Sequence, residues 1–456
     1  MTLPAPTEQT IAPPGDLFGH PRGLTVLFAS EMWERFSYFG NAALVVLYMV
    51  KYLFDPARIE TVWGIGAVRA ALELLFGPLA AQPFASQLFG FYTGLAYFMP
   101  IVGGLIADRW LGQRRTVIAG GVLMALGHFL MAFEALFLLA LTLLVLGIGA
   151  FKPNISTQVG ALYAPGDSRR QRAYAIFYVG INIGAFLAPL ICGTLATAFG
   201  WHTGFAAAGV GMLISLGIYL AGQRTLPPDQ TAGAPQQPAI PLTRHERRNV
   251  RALFAIAAAV MFFWAAFDQQ GNTILLWAED FTDRRVNLGL WQGEIPAVWF
   301  LALNPLMIFA LTPLLIRLWT EQARRQREPL ALRKMAFGCV CVTAAYLLMA
   351  VAASGAAKAS PLWLLGYFAI ATLGELCLAP IGLALVVTIA PARMRSMLMG
   401  VWFAATLPGD ILAGYLGGFW SSLPKSAFFL LIAAVAAVAA MALAVLSRFL
   451  RLRPSG

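Results

Sequence analysis

Glu31-Met32-Trp33-Glu34-Arg35-Phe36-Ser37-Tyr38-Phe39-Gly40 lies inside the first long apolar run of the chain, residues 24–54. The flanks read as a membrane-spanning helix, long enough to cross a bilayer. A charge at that depth costs about 2.5–3.5 kcal/mol on insertion scales. At 3.6 residues per turn, Glu31, Glu34, Arg35 and Tyr38 fall on one helix face. The spacing therefore predicts a single polar stripe that faces a partner or a water-filled cavity rather than lipid.

The rest of the chain has the same character. Of 456 residues, 59% are hydrophobic and only 12% charged, a balance that excludes an ordinary soluble domain and fits a multi-span membrane protein. Residues 1–20 are polar and Pro-rich and lack the apolar core of a cleavable signal, so the first span is expected to stay in the mature chain. Cys192, Cys339, Cys341 and Cys377 all fall in apolar runs and read as small buried hydrophobes, not as disulfide or metal pairs. There is no nucleotide loop, metal cluster or Ser/His/Asp set, so neither an enzyme nor a cofactor is expected.

Twelve spans are predicted at roughly 24–54, 85–107, 115–133, 136–163, 171–198, 203–222, 250–279, 296–319, 334–353, 361–390, 396–421 and 425–448. Counting loops alternately from the N-terminus puts 23 of the 32 Lys and Arg on the side of the termini and 7 on the other. That bias predicts cytoplasmic termini. It also accounts for the net charge of +11 without nucleic acid, and leaves the basic loops as contacts for anionic lipid. The expected organisation is a tail 1–23, a six-helix bundle 24–222, a Pro-rich basic linker 223–249, a second bundle 250–448 and a tail 449–456. Within the first bundle, residues 55–84 are an insertion on the outer side. Its apolar positions recur at helical spacing among Arg58, Glu60, Arg69 and Glu73, which predicts an amphipathic helix on the membrane surface. Six spans, a linker and six spans is the layout of the major facilitator fold, an all-α membrane architecture.

Seven ionisable groups remain at membrane depth: Glu31, Glu34 and Arg35 in span 1, Lys152 in span 4, Asp268 in span 7, Glu375 in span 10 and Asp410 in span 11. A buried ion pair contributes little to stability, because desolvation offsets its attraction. Seven such groups over five spans point instead to a solute site with proton coupling. A carboxyl in a low-dielectric cavity takes up a proton readily, and a cation brought beside it drives the proton off. Lys152 and Glu375 come from opposite halves, so a salt bridge between them is expected to open and close as the halves rock. Asp410 follows Pro408-Gly409 and reads as the cap of a broken helix before it reads as a substrate contact. His128, alone in span 3, reads as packing.

Several of these residues lie in motifs that resemble one family, the proton-dependent oligopeptide transporters of the major facilitator superfamily. The first-span stretch matches that family's Glu-x-x-Glu-Arg motif. The segments Gly103-Gly104-Leu105-Ile106-Ala107-Asp108-Arg109, Phe151-Lys152-Pro153-Asn154, Phe177-Tyr178-Val179-Gly180-Ile181-Asn182, Phe267-Asp268-Gln269-Gln270-Gly271, Asn304-Pro305, Gly374-Glu375-Leu376-Cys377 and Met399-Gly400-Val401-Trp402-Phe403 follow in the family's order. The resemblance implies that Arg35 and Lys152 attract a peptide carboxylate and that Asn182, Asn304 and Glu375 hold the amino end. It places Tyr38, Tyr97 and Trp402 in side-chain pockets. Glu31, Glu34, Arg35, Asp268 and Glu375 are the implied proton-coupling groups. Phe39 stands where the family usually has a second Tyr, and Asp268 where Glu is common.

The expected function is a proton-coupled importer of di- and tripeptides in a bacterial inner membrane, working as a monomer. The alternatives are a carrier of the same fold for nitrate, a drug or a conjugated metabolite, and a proton-conducting subunit of a membrane complex. The expected partners are small peptides, protons and membrane lipids.

Overall fold

The computed structural model describes residues 16–17, 19–164, 166–229, 243–287, 292–391 and 394–450. The expected tails up to 15 and beyond 450, and the centre of the linker, 230–242, lie outside the described residues.

Eleven described helices are long and apolar enough to cross a membrane. They are span 1 (Arg22–Leu53), span 2 (Ala81–Leu111), span 4 (Glu134–Ala161), span 5 (Arg169–Phe199), span 6 (Trp201–Thr225) and span 7 (Arg244–Phe281), then span 8 (Ala297–Arg324), span 9 (Ala331–Ala352), span 10 (Pro361–Ile389), span 11 (Met397–Trp420) and span 12 (Lys425–Phe449). Span 3 (Gln113–Leu130) is the twelfth. It opens on Gln113-Arg114-Arg115 and carries His128, which lowers its apolarity, yet it packs against spans 4 and 6 as a full member of the bundle.

Two six-helix halves result. Span 1 packs on spans 5 and 6, and span 3 on spans 4 and 6. Span 9 packs on spans 10 and 12, and span 7 on spans 11 and 12. The halves meet chiefly where span 2 crosses span 11. Small residues make that seam possible: Gly90 faces Gly414 and, one turn on, Gly94 faces Leu407 and Asp410, a small-xxx-small packing of the kind that lets membrane helices touch backbone to backbone. A Cβ on Gly90 would stand 2.4 Å from the Asp410 carbonyl oxygen. Within the first half, a Cβ on Gly103 would stand 1.9 Å from the Gly149 carbonyl oxygen, so spans 2 and 4 also cross at backbone contact.

Polar contacts between the halves cluster at the end of the bundle away from the termini. Lys51 Nζ pairs with Asp280 at 2.6 Å. Ser86 donates to Asn272 at 2.8 Å, Gln82 to the Gly417 carbonyl at 3.0 Å, and the Trp299 indole to Thr194 at 3.0 Å. The Lys51–Asp280 pair is more than a third exposed on both sides, so screening leaves it worth about 0–1 kcal/mol. Lys51→Ala is accordingly expected to change uptake less than about twofold, measured in vesicles. A large loss would show that the pair does more than trim that end of the bundle.

Two segments differ from the sequence expectation. Span 7 begins at Arg244, six residues before the predicted 250. A capping box starts it: the Glu246 N–H donates to Thr243 Oγ1 at 3.2 Å, and the Thr243 N–H donates to the Glu246 carboxylate at 2.8 Å. Between residues 55 and 84, a helix spans Ile65–Phe76 after the short turn Pro56–Ile59, and span 2 already starts at Ala81. On this insertion Trp63, Leu74 and Leu75 are exposed, while Ile65 and Leu72 pack inward. Its last ring, Phe76, lies 5.5 Å from the Tyr415 ring of span 11.

Candidate functional site

Helix irregularities position the polar groups. Span 4 carries Pro153 immediately after Lys152, and span 10 carries Pro380 five residues after Glu375. Each proline removes one intrahelical hydrogen bond and favours a local bend beside the charged residue. Span 7 leaves α-helix for a 3₁₀ turn at Asp268–Gly271 before resuming at Thr273. Span 8 starts as a 3₁₀ turn and becomes α-helical at Leu303, which sets Asn304 at the change.

These residues surround a cavity of 360 Å³ between the halves. From the first half its wall takes Arg35, Tyr38, Tyr97, Lys152 and Asn182; from the second, Asp268, Asn304 and Glu375. Eight of the residues predicted from sequence thus share one void of the size that small-molecule sites occupy.

The first-half charges are arranged in two layers. Arg35 is buried and held by Glu34 through two contacts, Nε to Oε2 at 2.5 Å and Nη2 to Oε1 at 2.7 Å. Glu31 adds an ion pair to Arg35 Nε at 3.2 Å. Glu31 and Glu34 do not line the cavity; they sit behind Arg35 and fix its fork. The Arg35 guanidinium lies 5.3 Å from the Tyr38 ring centroid. Lys152 differs. Its ammonium stands over the Tyr97 ring at 4.4 Å, and among the described residues no carboxylate lies within ion-pair distance of it.

Across the cavity, Asn304 Nδ2 donates to Glu375 Oε2 at 2.8 Å and to Thr372 Oγ1 at 3.1 Å. Glu375 is held by an amide, not by Lys152, so the expected cross-half salt bridge is not formed in this structure. Asn182 donates to the Tyr178 carbonyl of its own helix at 2.9 Å, which leaves its amide oxygen for a guest.

Trp402 stands apart from the other predicted pocket residues. It is buried against span 10, where a Cβ on Gly382 would fall 2.2 Å from its ring. Asp410 does not cap a broken helix. Span 11 turns at Ala405, and Asp410 sits within the following helix, Thr406–Gly417, with no side-chain cap there. His128 is buried, and its Nε2 lies 2.6 Å from Ser37 Oγ. Sequence reasoning also missed Phe89, Thr93, Tyr178, Trp264 and Gln270 in the wall. Apolar and aromatic residues within a span look the same whether they face lipid, core or cavity.

Comparison with known proteins places this arrangement. A family model described as the POT family matches residues 114–242 and 234–436. The chain belongs to the POT family. It is 36% identical to the peptide transporter YePEPT of Yersinia enterocolitica subsp. palearctica, over 88% of each chain. It is 33% identical to a di-/tripeptide transporter of Lactococcus lactis subsp. cremoris, over 85% of this chain and 87% of the other. Its fold is similar to that of the peptide transporter POT crystallised with sulfate, at 29% identity and a TM-score of 0.83 over 96% and 97% of the two chains. A POT family transporter in complex with 5-aminolevulinic acid is similar at 26% identity and a TM-score of 0.80, over 95% and 98%. As a POT family member this chain is a multi-pass membrane transporter of the major facilitator fold.

Proposed function

We propose that the chain imports di- and tripeptides with protons by alternating access, as a monomer in a bacterial inner membrane with both termini in the cytoplasm. The observation that carries the reading is the polarity of the cavity. An ammonium with no carboxylate in ion-pair range among the described residues, Lys152, and the Arg35 fork belong to one half. The Asn304–Glu375 pair belongs to the other. A dipeptide is a zwitterion whose extended backbone spans about 7 Å, and a tripeptide about 10 Å. Its carboxylate is drawn to Lys152 and Arg35, the latter suited to a bidentate contact. Its ammonium is drawn to Glu375. The names of the relatives, a peptide transporter and a di-/tripeptide transporter, support the same substrate class.

The clustering of cross-half contacts at the end away from the termini fits a state closed to the outside. The separated Lys152 and Glu375 fit the same state, with their pairing reserved for the opposite one. A double-mutant cycle on conformer populations tests that pairing; zero coupling removes it.

The experiment that tests the function is a competition screen in liposomes holding the purified chain, with dipeptides, tripeptides, nitrate and drugs offered against a labelled dipeptide under an inward proton gradient. Peptides are expected to compete and nitrate not to. Competition by another class alone overturns the peptide assignment. Proton flux without any solute dependence supports the proton-conducting subunit. Lys152→Gln is expected to weaken peptide affinity about 10- to 150-fold, the value of a hydrogen bond to a charged group. C-terminally amidated peptides should lose no more than a few-fold. An equal loss for both would remove the carboxylate contact.

A further inference from the structure

Asp410 is a buried acid that none of the contacts above employs. It is 1% exposed, and both carboxylate oxygens lack a donor. A buried carboxylate left without donors pays its full desolvation cost. The helix that carries it, Thr406–Gly417, packs against the 3₁₀ turn Asp268–Gly271, and the group it meets there is another carboxyl, Asp268. Two carboxylates offer each other only acceptors, so a bond forms between them only when one carries a proton. The titratable groups that face the pair are the phenols of Tyr38 from span 1, Tyr97 from span 2, Tyr346 from span 9 and Tyr367 from span 10, with the Glu375 carboxyl of span 10 beyond Asp268, and among the described residues no cation stands near Asp410. Asp268 opens on the cavity, while Asp410 lies behind it in the seam, with its Cβ 3.2 Å from where a Cβ on Gly94 would be.

We propose that Asp268 and Asp410 share one proton, and that Asp410 must be neutralised in this way before spans 2 and 11 close against each other. A proton enters from the cavity onto Asp268, which then donates to the Asp410 carboxylate; no bond other than O–H is made or broken. With the seam shut, Gly90 and Gly94 leave no room for the water that an ionised Asp410 would need. The proton is therefore a condition of closure, and its release follows reopening. Like charges this close do not both ionise, which makes the pair a single titrating unit. The inference deepens the proposed function and rests on it.

The test is Asp410→Asn, close in shape and unable to titrate, in the full chain reconstituted in liposomes. Two assays are compared: uphill dipeptide uptake driven by a proton gradient, and dipeptide counterflow without one. Gradient-driven uptake is expected to fall about tenfold or more, a typical size for coupling between two ligands, with its pH dependence flattened. Counterflow should stay within about twofold. Asp268→Asn combined with Asp410→Asn should be no worse in uphill uptake than Asp268→Asn alone, because the two act as a unit. Parent-like uphill uptake and pH profile in Asp410→Asn overturns the proposal, as does loss of counterflow together with uptake, which would mark a packing role. If the parent chain itself shows no peptide counterflow, the failure lies with the proposed function and not with the acid pair.

Discussion

Gly90→Leu is expected to abolish net uptake while leaving the chain folded. The reason lies in where the residue sits. Span 2 crosses span 11 with Gly90 against the Asp410 carbonyl and the Gly414 backbone, and a Cβ would meet those atoms at 2.4 and 3.0 Å. Neither neighbour is a flexible side chain, so the helices themselves must part. Overpacking a fitted contact costs about 1–3 kcal/mol, and a leucine adds three more carbons than the alanine that already clashes. This contact joins the two halves, whereas the packing within each half does not depend on it. The strain therefore falls on the closed state more than on folding, and shifts the population toward the state open on the side of Lys51 and Asp280. A shift of about 3 kcal/mol is more than a hundredfold in that equilibrium. Ser86, buried in the seam, reports it. The four native cysteines are buried, so Ser86→Cys gives a thiol whose labelling by a membrane-impermeant reagent reads seam opening. Labelling should be slow in the parent background and fast with Gly90→Leu. Gly104→Leu, on the same span with nothing within 4 Å of its Cβ, should transport normally. Slow labelling together with parent-like uptake in Gly90→Leu would falsify the seam as the moving contact.

What the sequence made legible follows a physical rule. Arg35, Lys152, Asn304 and Glu375 stand out because a polar group at bilayer depth is costly and must be satisfied by something. The structure gathers them around one cavity. The twelve spans were legible for the same reason in reverse, through long runs that have no other solvent than lipid. Contacts made only in three dimensions were not legible. The glycines of the span 2–span 11 seam look in sequence like any membrane-helix glycines. The neighbouring Pro408-Gly409 drew Asp410 into a local reading as a cap, whereas it lies buried inside the helix Thr406–Gly417, which packs against the turn that carries Asp268, 142 residues away in the chain. Trp402 carried a pocket assignment from its motif, but its ring is spent on Gly382. The early start of span 7 was legible in principle. Thr243 and Glu246 form a capping-box pattern, masked by the prolines that precede it.

Arg35→Gln has the other large expected effect, and it separates stability from transport. The guanidinium is the shared cation of two buried acids, bidentate to Glu34 and paired with Glu31. Its removal leaves both acids at most 1% exposed with no cation in contact, and breaking a buried pair in this way costs about 3–5 kcal/mol. Lys152, which already interacts electrostatically with Glu31, is then the nearest cation left to turn toward it. A Lys152 so recruited is withdrawn from the peptide carboxylate. The single change is thus expected to lower the thermal stability of the detergent-purified chain and to reduce peptide uptake about a hundredfold, by losing one carboxylate contact and diverting the other. Adding Glu34→Gln removes one of the stranded acids and allows an amide–amide contact in place of the ion pair. The double variant should recover most of the lost stability, with a coupling of about 1–3 kcal/mol in a double-mutant cycle, and recover little of the uptake. Restoration of both together would assign Arg35 a structural role alone. Arg35→Gln with the parent's melting temperature would show that Glu31 and Glu34 are neutral without the arginine, and would remove the ion-pair layer from the mechanism.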